Sequence, residues 1–208
     1  MVYCRGQVKA QGKSKHDLET KDSQLNRNSL RLSPLPSLRH AAELFNARNG
    51  KIIIELGGLN LPPEHPQFEL WGGSTINWAM HTRALRILSI DINPRVTQLT
   101  REHTRRFAAV EPVTADALLF LSGCQLPIDL LYFDAWDVEQ NSPYKQRHLD
   151  AFRLALPHLT PRAIVLVDDT DIDNGGKGEL VVPEALANGF RILWKGRQTA
   201  FSKDEMLY

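Results

Sequence analysis

The sequence predicts an α/β protein, a doubly wound, seven-stranded and mostly parallel sheet that closes with a C-terminal antiparallel hairpin. Three observations carry this. Short β-branched runs alternate with segments of helical apolar spacing, the pattern of βαβ units joined by right-handed crossovers. The last two strand-like runs are separated by only Gly196-Arg197, a spacing that suits a hairpin and excludes a crossover. Apolar residues make up 42% and charged residues 24% of the 208, ordinary usage for one domain that buries a sizeable core.

The elements follow in order. Residues 1–35 read as a polar, basic and mobile extension, with seven Lys/Arg against three Asp/Glu, and 36–208 as the folded domain. After Pro34 and Pro36, the stretch Ser37–Asn49 has helical spacing, with Leu38, Ala41, Ala42, Leu44 and Phe45 on one face and Gly50 as its stop. Lys51–Leu56 is a β-branched run expected to be covered on both sides. Ser74 or Thr75 caps a helix directly after Gly72-Gly73. Ile87–Asp91 is the second strand. Asn93 then caps, and Pro94 opens, a helix expected to reach about Phe107. Glu111–Thr114 is the third strand, with a short helix from Asp116. Ile128–Asp134 is the fourth, and Ser142-Pro143 opens a helix through Leu156. Ala163–Asp168 is the fifth. A loop, a helix near Glu179–Asn188 and the runs Phe190–Lys195 and Gln198–Ser202 complete the chain.

Several function classes are disfavoured. A net charge of +1 gives no electrostatic footprint for nucleic acid or for a membrane surface. No apolar stretch approaches the roughly 20 residues that span a bilayer, and the N-terminal segment has no signal-peptide core. Cys4 and Cys124 make no disulfide framework and fit a reducing, cytoplasmic setting. The seven histidines show no zinc spacing. Phosphate-loop, nucleophile-elbow and complete dinucleotide Gly-x-Gly-x-x-Gly motifs are all missing. The acids of Asp169-Thr170-Asp171-Ile172-Asp173-Asn174-Gly175 alternate as in a calcium loop, but the glycine falls one place late and a strand precedes it. That segment reads as a solvated acidic turn.

In open α/β sheets, ligands bind beyond the carboxyl ends of the strands. Acids recur there: Glu55, Asp91, Asp116, Asp134 and Asp168 stand at or just past the ends of successive strands. One such residue is ordinary turn chemistry. Five in series describe a crevice that offers acceptors to hydroxyls, an amine or a cation.

With these residues in view, Lys51–Lys203 resembles the class I S-adenosylmethionine-dependent methyltransferases, a Rossmann-like family. The resemblance implies cofactor contacts from Glu55, Gly57, Gly58, Gly73 and Ser74 around the glycine-rich turn. It implies ribose hydroxyls on Asp91 and the adenine amine on Asp116. One departure stands out: the prolyl stretch Leu59–Trp71 separates Gly57-Gly58 from Gly72-Gly73, which leaves open which pair faces the cofactor. His65 and Trp71 within it are candidates to reach the pocket, or to sit on a surface loop.

Phe133-Asp134-Ala135-Trp136 with Val167-Asp168-Asp169 is similar to the magnesium site of catechol-type O-methyltransferases. There, Asp134, Asp168 and Asp169 would hold Mg²⁺ through oxygen. The alternative is that these acids cap turns. The catechol-type enzymes carry a lysine base shortly after the strand-four acid, where this chain has Asp137. The catalytic group is therefore undetermined, with Asp134, Asp137 and His65 as candidates. The activity implied is methylation of a small-molecule hydroxyl. A non-catalytic binding module, or another transferase such as an aminopropyltransferase, is the rival reading. The N-terminal segment is a candidate contact for a homodimer.

Overall fold

Alternation inside each strand decides the layers. Ile53, Ile87, Leu130, Ile164 and Leu166 face one side of the sheet, and Ile54, Leu88, Leu131, Val165 and Val167 the other. Successive strand residues point to opposite faces, so runs of Ile, Leu and Val require helices on both. A computed structural model describes residues 34–68 and 73–204. The extension up to residue 33, Cys4 within it, and Trp71 and Gly72 lie outside the described residues.

Helix α1 (Leu35–Ala47) and strand β1 (Ile52–Leu56) open the domain, followed by α2 (Ser74–His81), β2 (Arg86–Asp91), α3 (Pro94–Thr104) and β3 (Val110–Thr114). Then come α4 (Ala117–Ser122), β4 (Ile128–Phe133), α5 (Tyr144–Ala155), β5 (Leu159–Val167), α6 (Val181–Ala187), β6 (Arg191–Trp194) and β7 (Thr199–Ser202). Leu38, Phe45 and Trp78 of α1 and α2 cover the first face. Leu121, Phe152 and Val181 of α4, α5 and α6 cover the second.

The strand order is β3-β2-β1-β4-β5-β7-β6, parallel except where β7 pairs with β5 and β6. This is the doubly wound sheet expected, and the order reverses between β1 and β4. That reversal opens a crevice at the carboxyl ends of those two strands.

Local chemistry fixes the ends. Asn93 Oδ1 accepts the Arg95 N–H at 3.0 Å and Pro94 fills the first helical position, as the sequence predicts. Helix α3 stops at Thr104, short of Phe107. Its inward face is Thr97, Thr100 and Thr104, whose hydroxyls donate to carbonyls of the preceding turn at 2.6–3.1 Å. Strand β5 begins four residues earlier than expected, because Leu159 pairs with Ile128 ahead of a register shift. The hairpin loop is wider than Gly196-Arg197. The Arg197 carbonyl accepts the Thr170 N–H at 2.8 Å, and the Gln198 side chain donates to Tyr132 Oη at 2.9 Å, so neither residue joins the ladder. No described helix is long and apolar enough to cross a membrane.

Candidate functional site

The crevice is built around a turn that only glycine can make. Gly57 follows β1 at φ +101°, and a Cβ there would stand 2.7 Å from the Asp134 carbonyl oxygen. Its N–H donates to the Ile90 carbonyl at 2.8 Å, while Asp134 N–H donates to Leu56 at 2.9 Å. The ends of β1, β2 and β4 are thereby stitched together. Gly58 packs against α3, where a Cβ would lie 2.7 Å from Val96 Cγ1. Its N–H donates to Asp91 Oδ2 at 3.0 Å, and Asp91 Oδ1 accepts the Asn93 N–H at 2.7 Å. Asp116 caps α4 through Oδ1, which accepts from Leu118 and Leu119 at 2.9 and 3.1 Å. Beside these acids Ile92 and Leu119 are large apolar side chains left 67% and 72% exposed.

The stretch after Gly58 folds back on itself. His65 Nδ1 accepts the Gln67 N–H at 3.2 Å, so the imidazole closes its own turn. Phe68 lies over the start of α2, 3.2 Å from where a Cβ on Gly73 would stand. Gly73 itself has φ −127°, which any residue adopts. Of Gly57, Gly58 and Gly73, only Gly57 depends on its lack of a side chain for backbone conformation.

Glu55 has no exposed surface. The hydroxyls of Ser74, Thr75 and Ser89 and the Trp78 indole surround its carboxyl; Thr75 donates to Oε2, and Oε1 has no hydrogen-bond partner. Burial pushes the carboxyl up from 4.5 to about 7 against those donors. Glu55 and Ser74 thus face each other between β1 and α2, rather than lining an open cleft.

Asp134, Asp168 and Asp169 do converge, with one ligand oxygen from each within 4.8 Å of the others. Among them sits a residue the sequence reading passed over. Lys177 is 1% exposed, and its Nζ lies 2.7 Å from Asp134 Oδ1 and 3.3 Å from Asp169 Oδ2. Burial disfavours a charged lysine, yet Asp134, Asp169 and Asp168 hold this ammonium well above its ordinary range. Asp134 is itself pushed up by burial and by the other two acids, with Lys177 opposing. Arg197 adds a second cation, Nε 3.4 Å from Asp168 Oδ1 and a terminal nitrogen 3.8 Å from Asp169 Oδ1. The carboxylates meet as a metal site requires, but protein cations already engage all three. In this arrangement the donor set does not fit a resident divalent ion.

Asp137 is exposed and Trp136 half-buried, with the Trp136 ring edge-on to His148 at 5.1 Å. His148 is fully buried, its Nδ1 2.7 Å from the Tyr144 carbonyl, and burial with nearby Lys177 lowers it to about 3. It is a neutral packing histidine at physiological pH. Trp78 is core. The segment expected to be a solvated acidic turn instead carries short 3₁₀ turns over Asp173–Gly178 and delivers Lys177. The signal available in sequence was Gly175-Gly176-Lys177-Gly178, a lysine among glycines in a segment rich in acids.

No family model and no curated protein matches this sequence. Solved structures do match in fold. An O-methyltransferase from Bacillus cereus in complex with SAH is similar at TM-score 0.58 and 19% identity, covering 90% of each chain. N-methyltransferase NodS from Bradyrhizobium japonicum, in complex with S-adenosyl-L-homocysteine, is similar at TM-score 0.54 and 15% identity, covering 81% of this chain and 87% of its own. An rRNA methylase from Streptococcus thermophilus gives 0.59 and 12%, covering 84% and 98%. The fold is that of the S-adenosylmethionine-dependent methyltransferases.

Proposed function

We propose that this chain binds S-adenosylmethionine at the Gly57-Gly58 turn and transfers its methyl group to a hydroxyl of a small-molecule acceptor. The observation that carries the reading is the Gly58 N–H to Asp91 hydrogen bond. It couples a glycine turn that excludes side chains to the carboxylate closing the next strand, at the switch point of a fold whose neighbours hold the demethylated cofactor.

When bound, S-adenosylmethionine supplies an electrophilic methyl group on a sulfonium. The chain's own residues bind and orient. Each Asp91 oxygen accepts one backbone N–H and keeps a further lone pair, so the carboxylate still offers two acceptors to a vicinal diol. Asp116 commits Oδ1 to the α4 terminus and keeps Oδ2 for an amine. Ile92 and Leu119, exposed next to these acids, suit the faces of a flat ring. Glu55, Ser74 and Thr75 act from behind, fixing α2 to β1. Gly73, under Phe68, belongs to that support.

On the acceptor side, Asp134 is the best-placed carboxylate. Its backbone abuts Gly57 and its side chain keeps 21% exposure, enough to meet a hydroxyl. His65 and Asp137 have no such support. The hydroxyl acceptor rests on Asp134 beside the Gly57 turn and on the similarity to an O-methyltransferase, since neighbours of the same fold also include an N-methyltransferase and an rRNA methylase. Alignment of the attacking oxygen with the methyl carbon is the main service such a site performs.

Calorimetric titration with S-adenosylhomocysteine tests the cofactor reading. Saturable binding is expected, weakened at least tenfold, or about 1.4 kcal/mol, in Asp91→Ala. Silence at millimolar ligand refutes it. Binding without turnover on any hydroxylated acceptor would favour a non-catalytic module.

A further inference from the structure

We infer that the Lys177 ammonium is the resident cation of the strand-end carboxylate cluster, filling the place of a divalent metal, so that this chain neither binds nor needs one. The inference rests on the methyl-transfer reading for what the cluster stands beside, and on geometry for the rest.

Each carboxylate already has a cation from the protein. Lys177 Nζ bridges Asp134 Oδ1 at 2.7 Å and Asp169 Oδ2 at 3.3 Å, and Arg197 Nε faces Asp168 Oδ1 at 3.4 Å. Three Asp against one Lys and one Arg leave at most a single negative charge. A divalent ion would reverse that sign inside a largely buried cluster.

Ligation is equally obstructed. Mg²⁺ demands near-octahedral oxygens at about 2.0–2.1 Å. An ion ligated by Asp134 Oδ1 would share that oxygen with an ammonium, bringing two positive centres within about 4–5 Å where little water screens them. Lys177 has nowhere to retreat, since it is 1% exposed. Expelling it would strand a charge in the interior.

The backbone is shaped to hold this lysine. Asp169 (φ +53°), Asn174 (+59°), Gly175 (+95°) and Gly176 (+50°) all take left-handed conformations. A Cβ on Gly176 would fall on the Asp169 carbonyl oxygen. The chain leaves the strand end at Asp169, reverses through three successive left-handed residues, and returns residue 177 to the acid it left. Strained conformations of this kind persist where the surrounding structure demands them. Lys177 is thus a positioning residue: it fixes the Asp134 carboxylate beside the Gly57 turn, the task a metal would otherwise share.

Two titrations of the full chain decide the matter: Mn²⁺, followed by loss of its free paramagnetic signal, and S-adenosylhomocysteine by calorimetry, with and without chelator. The wild-type chain is expected to leave millimolar Mn²⁺ free and to bind S-adenosylhomocysteine equally well in chelator. Lys177→Ala opens the cluster and gains Mn²⁺ affinity at least tenfold, while Lys177→Arg keeps the metal out. Saturable Mn²⁺ binding by the wild type that Asp134→Asn abolishes would overturn the inference. So would a folded Lys177→Ala chain that still ignores Mn²⁺. If Lys177→Ala does not fold, the wild-type titration decides alone. Failure of S-adenosylhomocysteine to bind, with Mn²⁺ still ignored, would remove the methyl-transfer reading and leave the assignment of Lys177 standing.

Discussion

Glu55→Gln should make the fold more stable at neutral pH, against the usual outcome of altering a fully buried polar residue. The folded carboxyl titrates at about 7 instead of 4.5, chiefly because burial penalises its charge. Between those values the folded chain holds a proton that the unfolded chain has released. Stability therefore falls as pH rises through this window, and the loss is complete above the folded value. At about 1.4 kcal/mol for each pH unit between the two values, ionising Glu55 costs the fold about 3 kcal/mol. Glutamine has the same shape and no charge, and its amide oxygen still accepts from Thr75. Urea unfolding from about pH 5 to about pH 8 is the assay. The wild-type free energy should fall relative to the variant's, leaving Glu55→Gln ahead by about 3 kcal/mol at the upper end. Parallel curves across that range would refute the reasoning, and with it the claim that Glu55 is sealed from solvent.

Two further substitutions separate the binding end of the sheet from its pinning end. Gly57→Ala places a methyl 2.7 Å from the Asp134 carbonyl at φ +101°, and should cost about 1–3 kcal/mol in strain. Thermal unfolding should register that cost, and calorimetry a matching loss of S-adenosylhomocysteine affinity. Asp129 works at the other end, where Oδ2 accepts the Lys51 and Ile52 N–H groups at 2.8 and 3.0 Å and Oδ1 accepts the Thr160 hydroxyl at 2.9 Å. Asp129→Ala should destabilise by about 1–3 kcal/mol and leave S-adenosylhomocysteine affinity unchanged; an equal fall in affinity would contradict the separation.

The legible parts of the sequence were those governed by near neighbours. Alternating Ile, Leu and Val reported two covered faces because strand periodicity is a local property. Asn93-Pro94 and Asp116 announced helix starts because the cap and the N–H it accepts lie two or three residues apart. The convergence of Asp134 with Asp168 and Asp169 came from the resemblance to the catechol-type site, and the pairing of β4 with β5 accounts for it. What could not be read depended on contacts between distant residues. Lys177 meets Asp134 across 43 positions, through a left-handed excursion with no periodic signature. Glu55 looked like an open acceptor because its position at a strand end says nothing of the α2 hydroxyls that close over it. The glycine turns depend likewise on the fold, which sets a backbone carbonyl against Gly57 and the Phe68 ring against Gly73. The carbonyl of Asp134, one residue past β4, is what a side chain at Gly57 would meet.

The antiparallel strand β7 has a consequence for the order of events during synthesis. It enters between β5 and β6, so the hairpin is what carries Arg197 to Asp168 and Gln198 to the Tyr132 hydroxyl. Asp134, Asp168 and Asp169 are translated well before those partners. Without β7, β5 lacks its antiparallel partner and Asp168 lacks its contact with Arg197, while Lys177 still meets Asp134 and Asp169. A chain ending after α6 would lack both the β7 pairing along β5 and the Arg197 contact to Asp168. Completion of the sheet and pairing of Asp168 with a cation thus depend on one and the same C-terminal hairpin.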